Sequence, residues 1–168
     1  TTPASIITFN SSLSGETLTL TGGELFIDTP LTIDASSLSE GLTINGGGLS
    51  RIFRTSPGSD VIIDSLTLAE GVASNVGGAI WNSGASMMLE NCTITACSAP
   101  SGGAIFNGGA NKTASLHLTA CTLTANSATS GGAIYNYGEN STSTSLQLDS
   151  CTLKVVALST LVTPVTLK

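Results

Sequence analysis

Three kinds of side chain in this 168-residue chain have the chemistry of functional sites: carboxylates, thiols and aromatic rings. Paired carboxylates can cleave glycosidic bonds, and groups of carboxylates can hold a calcium ion. The acidic residues considered for such a site are Asp28, Asp34, Asp60, Asp64, Glu70 and Glu90. As far as the sequence aligns with itself, they occupy different repeat positions. We therefore interpret them as scattered surface groups, and predict neither a catalytic residue nor a cofactor.

The cysteines fall at equivalent positions of a repeat. Cys92, Cys121 and Cys151 are spaced by 29 and 30 residues. If these residues stack in register, neighbours lie about 4.8 Å apart, whereas the Cβ atoms of a disulfide prefer about 3.8 Å. We therefore expect a buried column of free thiols, with a Cys92–Cys97 bridge left open as an alternative. The single histidine, His117, alternates with leucines and should point away from this column, so the sequence predicts no metal site.

The aromatic residues Trp81, Phe106 and Tyr135 each follow an isoleucine at the same point of a repeated phrase. Successive side chains of a strand point to opposite faces, so inward-facing isoleucines would place the rings outside. An external ladder of rings could stack on sugar faces or on a neighbouring molecule. These three rings are the predicted surface-contact residues. The alternative is that they pack under the loops of their own repeats.

The elements that position these groups are the copies of one six-residue phrase. It is written GGAIWN, GGAIFN and GGAIYN, at residues 77–82, 102–107 and 131–136. A fixed phrase with a period between 20 and 50 residues is typical of a stacked solenoid. Stacking predicts an interior isoleucine column and a hydrogen-bonded amide ladder at the turn. The two columns consist of Ile80, Ile105 and Ile134, and of Asn82, Asn107 and Asn136.

Short alternating apolar runs bounded by Gly, Ser and Asn predict strands throughout, and hence an all-β fold. We predict one domain over residues 1–168. It consists of irregular turns in 1–60, regular repeats in 61–153 and a divergent terminal strand segment in 154–168. Charged residues are only 10% of the chain and its net charge is −6, so the sequence predicts no nucleic-acid partner. The longest apolar stretch, 155–162, falls short of the roughly 20 residues of a membrane span.

The repeated phrase, joined to CTITACSA at 92–99 and CTLTANSA at 121–128, resembles the repeats of the polymorphic outer membrane proteins. It is also similar to the repeats of secreted bacterial right-handed parallel β-helix proteins. The likeness covers about residues 6–153 and implies a right-handed parallel β-helix (β-solenoid) of about six to seven turns. It further implies an extracellular or cell-surface location. After Leu153 the chain departs from the pattern, which favours a specialised terminal strand over an interrupted repeat.

The ends of such a rod carry unpaired strand edges, which other proteins of this shape usually cap. The sequence shows no amphipathic helix at either end, so we predict self-association through the terminal faces. The resulting expectation is a non-enzymatic extracellular structural or adhesive protein, stacked into a fibre or surface rod. The alternative is a polysaccharide-binding or polysaccharide-cleaving protein. That alternative predicts a glycan or host-surface ligand, and a groove lined by the rings and at least two carboxylates.

Overall fold

A computed structural model of the chain describes residues 5–109, 112–138, 143–155 and 165–167. Within these ranges the chain forms eighteen short strands and one 3-10 turn at Ser11–Leu13, and no α-helix. Five coils of three strands follow one another, and further strands follow the fifth coil. The strands are β1 (Ser5–Thr8), β2 (Thr17–Thr19), β3 (Leu25–Ile27), β4 (Leu31–Asp34), β5 (Leu42–Asn45), β6 (Phe53–Thr55), β7 (Asp60–Asp64), β8 (Leu66–Ala69), β9 (Ile80–Asn82), β10 (Ser86–Glu90), β11 (Thr93–Thr95), β12 (Ile105–Asn107), β13 (Ala114–Thr119), β14 (Thr122–Asn126), β15 (Ile134–Asn136), β16 (Thr144–Asp149), β17 (Thr152–Val155) and β18 (Val165–Leu167).

Three parallel sheets form the walls of the solenoid, because each coil contributes one strand to each sheet. The first sheet has the order β1-β4-β7-β10-β13-β16-β18, the second β2-β5-β8-β11-β14-β17 and the third β3-β6-β9-β12-β15. The prediction of an all-β parallel solenoid is therefore confirmed, while its right-handedness stays an inference from the resemblance. Of the terminal segment 154–168, only residues 154–155 and 165–167 are described, and they extend the second and first sheets.

The number of turns is smaller than predicted. The described part of the chain completes about five turns rather than six to seven, with a partial sixth after β15. The difference arises in the irregular first sixty residues. Three strands are needed to close one coil, so β1 to β6 complete only two coils.

The core is a set of apolar columns inside the three walls. Ile105 pairs with Ile80 on one side and Ile134 on the other, and all three side chains are buried. On the first sheet, Leu118 lies in register between Leu89 and Leu148 in the same way. Each coil therefore buries its apolar face mainly against its two neighbours, as expected of a repeat that cannot form a core alone.

A single residue in the left-handed region turns the chain between the first and second sheets. Ser65, Asn91, Ala120 and Ser150 have φ of 59°, 51°, 53° and 55°, and each lies one or two residues before a strand of the second sheet. For a residue with a Cβ this backbone conformation costs about 1–2 kcal/mol. The corner is thus a place where the repeat is strained.

Ala120→Gly should relieve this strain. Ala120 is exposed, so removing its methyl group loses little packing. We expect the free energy of unfolding to rise by about 0.5 kcal/mol or more, the gain in backbone conformation exceeding the entropy cost of glycine. Urea denaturation measures the change. Ala128→Gly is the matched control, because Ala128 is outside the positive-φ set and should lose about 0.5–1 kcal/mol. A loss of stability in both variants contradicts the prediction.

Candidate functional site

The outward-facing column of the third sheet carries the predicted rings and extends beyond them. Strand register places Phe26, Arg54, Trp81, Phe106 and Tyr135 at the same position of five successive coils. We call these five residues the ring column. Phe26 and Arg54 were missed in the sequence, because the first two coils lack the repeated phrase. The alternation in Leu25–Ile27 and Phe53–Thr55 is the signal that could have aligned them.

The rings of the later coils lie against each other along the solenoid axis. The Phe106 and Tyr135 centroids are 5.5 Å apart with an interplanar angle of 17°, and Tyr137 adds a third ring 5.9 Å from Phe106. Phe106 is buried, and Trp81 Nε1 donates a hydrogen bond to the Gly108 carbonyl oxygen at 3.2 Å. Phe106 is thus in contact with two rings of the next coil, Tyr135 and Tyr137, whereas the alternative interpretation placed it under the loop of its own repeat. Because the ring faces of Phe106 and Tyr135 contact each other, mainly the ring edges are left to contact solvent.

Two arginines cover Trp81. Arg54 Cζ lies 4.5 Å from the Trp81 ring centroid and 5.5 Å from that of Phe26, and Arg51 Cζ lies 5.1 Å from Trp81. Both distances to Trp81 are within the range of a cation–π interaction. Arg54 therefore lies between two rings, and its planar guanidinium continues the column.

Arg51 is the fixed member of this pair. It is buried, and its guanidinium forms an ion pair with Glu24. Its Nη2 donates to Asn75 Oδ1 at 2.6 Å, and its Nε donates to the Gly77 carbonyl oxygen at 2.9 Å. Burial lowers the pKa of Arg51 from its usual value, and the Glu24 carboxylate opposes that shift. Because each nitrogen of its guanidinium has a partner, Arg51 joins the loops that precede β3, β6 and β9.

Arg54 is the available member. Its side chain is 41% exposed, and its Nη1 lies 3.8 Å from the second carboxylate oxygen of Glu24. Two guanidinium groups therefore share one carboxylate, which leaves a local positive charge on a chain whose net charge is −6. Because the partnered Arg51 holds Glu24 tightly, most of the uncompensated charge lies on Arg54.

A shallow cleft adjoins the Glu24–Arg51 pair, between the loops that enter the third sheet in the second and third coils. Its other lining residues are Leu49, Ser50, Val72, Ala73, Ser74 and Asn75. The lining mixes hydroxyl and amide groups with apolar side chains, and Leu49 is almost fully exposed. This composition suits a ligand that has both hydroxyl groups and C–H surfaces.

The three predicted asparagines form a continuous buried ladder. Asn82 Nδ2 donates to Asn107 Oδ1 at 2.7 Å, and Asn107 Nδ2 donates to Asn136 Oδ1 at 2.6 Å. Thr55 extends the ladder by one coil, because its hydroxyl donates to Asn82 Oδ1 at 3.0 Å. The same amides bond to the main chain of the next wall, as in the 2.9 Å contact of Asn107 Nδ2 with the Ser145 carbonyl oxygen. The ladder therefore joins coils along the axis and walls around it.

Three of the four cysteines lie in one interior column, and all four are free thiols. Cys92, Cys121 and Cys151 occupy the position that Leu66 has in the third coil, and Cys97 is not bridged to Cys92. A hydrogen bond to Cys121, together with burial, raises the pKa of Cys92, and burial raises that of Cys97 to about 11. The hydrogen bond with Cys92 lowers the pKa of Cys121, but Cys92 and Cys121 are both buried and out of reach of reagents, so we interpret this column as a packing feature.

The expectation that the acidic residues occupy different repeat positions is wrong for three of them. Asp34, Asp64 and Glu90 are register partners, and each is the last residue of its strand in the first sheet. Asp64 and Glu90 each lie two residues before the thiol column, which is a spacing visible in the sequence. Hydrogen bonds from Ser36 lower the pKa of Asp34. Across the described ranges, no group of three or more His, Cys, Asp or Glu is arranged to hold a metal ion.

His117 points outward from the first sheet, between the buried Leu116 and Leu118. Its Nε2 lies 2.7 Å from Asp149 Oδ2, and the two side chains are about equally exposed. His117 thus lies on the opposite side of the wall from the thiol column and joins no cysteine.

The geometry defines the class of this protein as a parallel β-solenoid with a cationic, aromatic stripe on its third wall. No protein-family model, no curated protein and no solved structure matches the chain. The likeness to polymorphic outer membrane protein repeats accordingly stays an expectation from the sequence. In the ranges that the structure describes, no helix has the length and apolar character needed to cross a bilayer.

Proposed function

We propose that the protein is a non-enzymatic structural or adhesive β-solenoid, extracellular or on a cell surface, that associates end to end through its terminal coils. The observation that carries the proposal is the interior apolar column of the second sheet. This column runs through Leu18, Ile44, Leu68, Ile94, Leu123 and Leu153. Its middle residues are buried, and its first and last described residues are exposed.

The exposed fractions along this column show the effect of a missing neighbour. Leu18 is 38% exposed and Leu153 is 39% exposed, whereas Ile44 is 6% and Leu123 0% exposed. All of these side chains point into the solenoid. In the described structure each of these two end residues lies on a strand that has a sheet neighbour on one side only, and a coil from another copy would bury them as the middle ones are buried. Apolar surface exposed in this way favours association.

The backbone of the first coil supports the same contact. Among the strands that the structure describes, β1, β2 and β3 are each the end strand of their sheet and pair with one neighbour. Their sequences SIIT, TLT and LFI contain no charged residue and no proline. Edge strands without such blocking residues are templates for pairing with another chain. A contact between the first coil of one copy and the last of another is heterologous and does not close, so it propagates into a rod.

The proposal predicts that Leu18→Lys abolishes association. A lysine at this open end would have to bury its charge to pair with another coil. Light scattering coupled to size-exclusion chromatography should show the unmodified chain growing from monomer to larger species as its concentration rises from micromolar to millimolar. Leu18→Lys should remain monomeric. Ile62→Lys is the matched control, because Ile62 is also 38% exposed but faces outward in the middle of the first sheet.

Mixing two blocked variants tests the polarity of the contact. Leu153→Lys should block the opposite end, so neither it nor Leu18→Lys associates alone. Mixed in equal amounts, each retains one intact end, and the two should form dimers and nothing larger. Association of Leu153→Lys alone would indicate contact between two first coils and would overturn the head-to-tail arrangement. An unmodified chain that stays monomeric at millimolar concentration would overturn the proposal itself.

Polysaccharide binding is the second candidate, and the observation that favours it is the exposed Arg54 beside the cleft. Stacking of sugars on ring faces has little support, because Phe106 and Tyr135 face each other and Trp81 is covered by two guanidinium groups. Cleavage also has little support, because the in-register carboxylates of the first sheet lie at a different wall from the cleft.

A further inference from the structure

Three features of the third wall converge within the first three coils: an exposed guanidinium, a carboxylate already neutralised by another arginine, and a cleft of mixed polarity. We infer that this place is a binding site for an acidic oligosaccharide, in which Arg54 receives the carboxylate of a uronic acid and the cleft receives adjoining sugar hydroxyl groups. This inference deepens the second candidate function and is independent of end-to-end association.

The guanidinium of Arg54 is held in position before any ligand arrives. It lies between Phe26 and Trp81, 5.5 Å and 4.5 Å from their ring centroids. Its Nε is buried and has no hydrogen-bond partner among the described residues, so the rings rather than hydrogen bonds set its orientation. The exposed side chain leaves Nη donors for a ligand. A planar fork of two donors matches a carboxylate in a bidentate geometry.

The charge at the site favours an anion. Glu24 is the carboxylate nearest to Arg54 in the described structure, and Arg51 already binds it. A negative ligand at Arg54 would therefore restore one carboxylate for each guanidinium. The rest of the chain carries net negative charge, so attraction of an anion is a local property of this site.

The cleft favours a sugar over a simple carboxylate. Ser50, Ser74 and Asn75 provide hydroxyl and amide groups, and Leu49 provides exposed apolar surface. The Ser50 hydroxyl is buried without a hydrogen-bond partner in the described structure, and a change of rotamer would let it bond to a ligand in the cleft. Glu24 lines the cleft and also contacts Arg54, so the two parts of the site are contiguous.

The single tryptophan of the chain gives a direct readout, because Arg54 covers its ring. Trigalacturonate should change Trp81 fluorescence saturably, and its fully methyl-esterified form should bind at least about tenfold more weakly, as expected for loss of a charge-assisted hydrogen bond. Arg54→Gln should weaken trigalacturonate binding by a similar factor, and Arg54→Lys by less, since lysine keeps the charge without the fork. Lys154→Gln removes an exposed cation elsewhere and should bind as the unmodified chain does.

The outcomes separate the inference from the second candidate. Equal binding of the acid and its methyl ester would overturn the acidic-ligand inference while leaving glycan binding standing. The absence of saturable binding of either probe, by fluorescence and by calorimetry, would overturn both. Unchanged binding in Arg54→Gln would show that the ligand lies elsewhere, and it would also overturn the inference. Circular dichroism melts of each variant establish that the fold is retained.

Discussion

Replacing Gly103 by alanine should lower the free energy of unfolding by about 4 kcal/mol or more, the range reached only by severe strain or loss of packing. A Cβ at Gly103 would lie 2.5 Å from the Ser127 carbonyl oxygen and would also collide with the carbonyl oxygen of Gly132. Both atoms belong to the main chain of the next coil, so no side-chain rotation can relieve the contact. The coils would have to separate locally.

The preceding glycine of the pair has a different role, since Gly102 has φ of +66° at the corner. Gly103 needs no special backbone angle and is required by close approach alone. Gly22→Ala is the control, because its Cβ would meet no atom within 4 Å. Its stability should change by no more than about 0.5 kcal/mol in the same urea titration. Comparable stability of Gly103→Ala and Gly22→Ala would show that the coils are farther apart than the structure places them.

Asn107→Asp should cause the second-largest loss in the free energy of unfolding, and the size of this loss should depend on pH. Asn107 is fully buried, and its Nδ2 donates to Asn136 Oδ1 and to the Ser145 carbonyl oxygen. A carboxylate there would face these acceptors without a proton to donate. Burial and the lost donors would raise the pKa of the new carboxyl by about 3 units or more, which corresponds to about 4 kcal/mol.

The direction in which the stability of Asn107→Asp changes with pH follows from that raised pKa. Below the unfolded-state pKa of about 4 the new carboxyl is protonated in both states, and the variant should approach the stability of the unmodified chain. As pH rises from there towards the folded-state pKa, the variant should lose stability progressively, and above it the deficit should be constant. Urea titrations between pH 3 and pH 8 measure this, with about pH 4 as the onset. Asn10→Asp is the control, because the exposed Asn10 only accepts a hydrogen bond from Ser12 N, which a carboxylate also does. A deficit in Asn107→Asp that does not vary with pH would contradict a buried ladder.

The regular half of the fold was predictable because identical phrases allow only one alignment. With Ile80, Ile105 and Ile134 in equal contexts, in-register stacking follows, and the asparagines two residues later must stack as well. In the pairs Gly77–Gly78 and Gly102–Gly103, the first glycine has the positive φ and the second makes the close approach to the next coil. These are local properties repeated at a fixed period, which is why sequence reasoning reaches them.

The first two coils were harder to predict because nothing in them repeats. Arg54 and Phe26 share no residue type with Trp81, and only the strand register shows that a guanidinium continues a column of rings. The sequence did not show that Asp34 is in register with Asp64 and Glu90 for the same reason, because Asp34 lies in the second coil. The covering of Phe106 depends on Tyr137, which lies outside the repeated phrase. Such contacts depend on which coils become neighbours, and a sequence shows that only where the copies are alike.

The central claim is that successive coils stack in register, and the most direct test uses the isoleucine column. In a chain with ¹³C-labelled isoleucine methyl groups, nuclear Overhauser effects should connect Ile80 with Ile105 and Ile105 with Ile134, because paired strands lie about 4.8 Å apart. The Ile80–Ile134 cross-peak should be much weaker, since those residues are two coils apart. Absence of the two neighbouring contacts, or an Ile80–Ile134 cross-peak of equal strength, would contradict the stacked arrangement on which the ring column, the amide ladder and the open ends all depend.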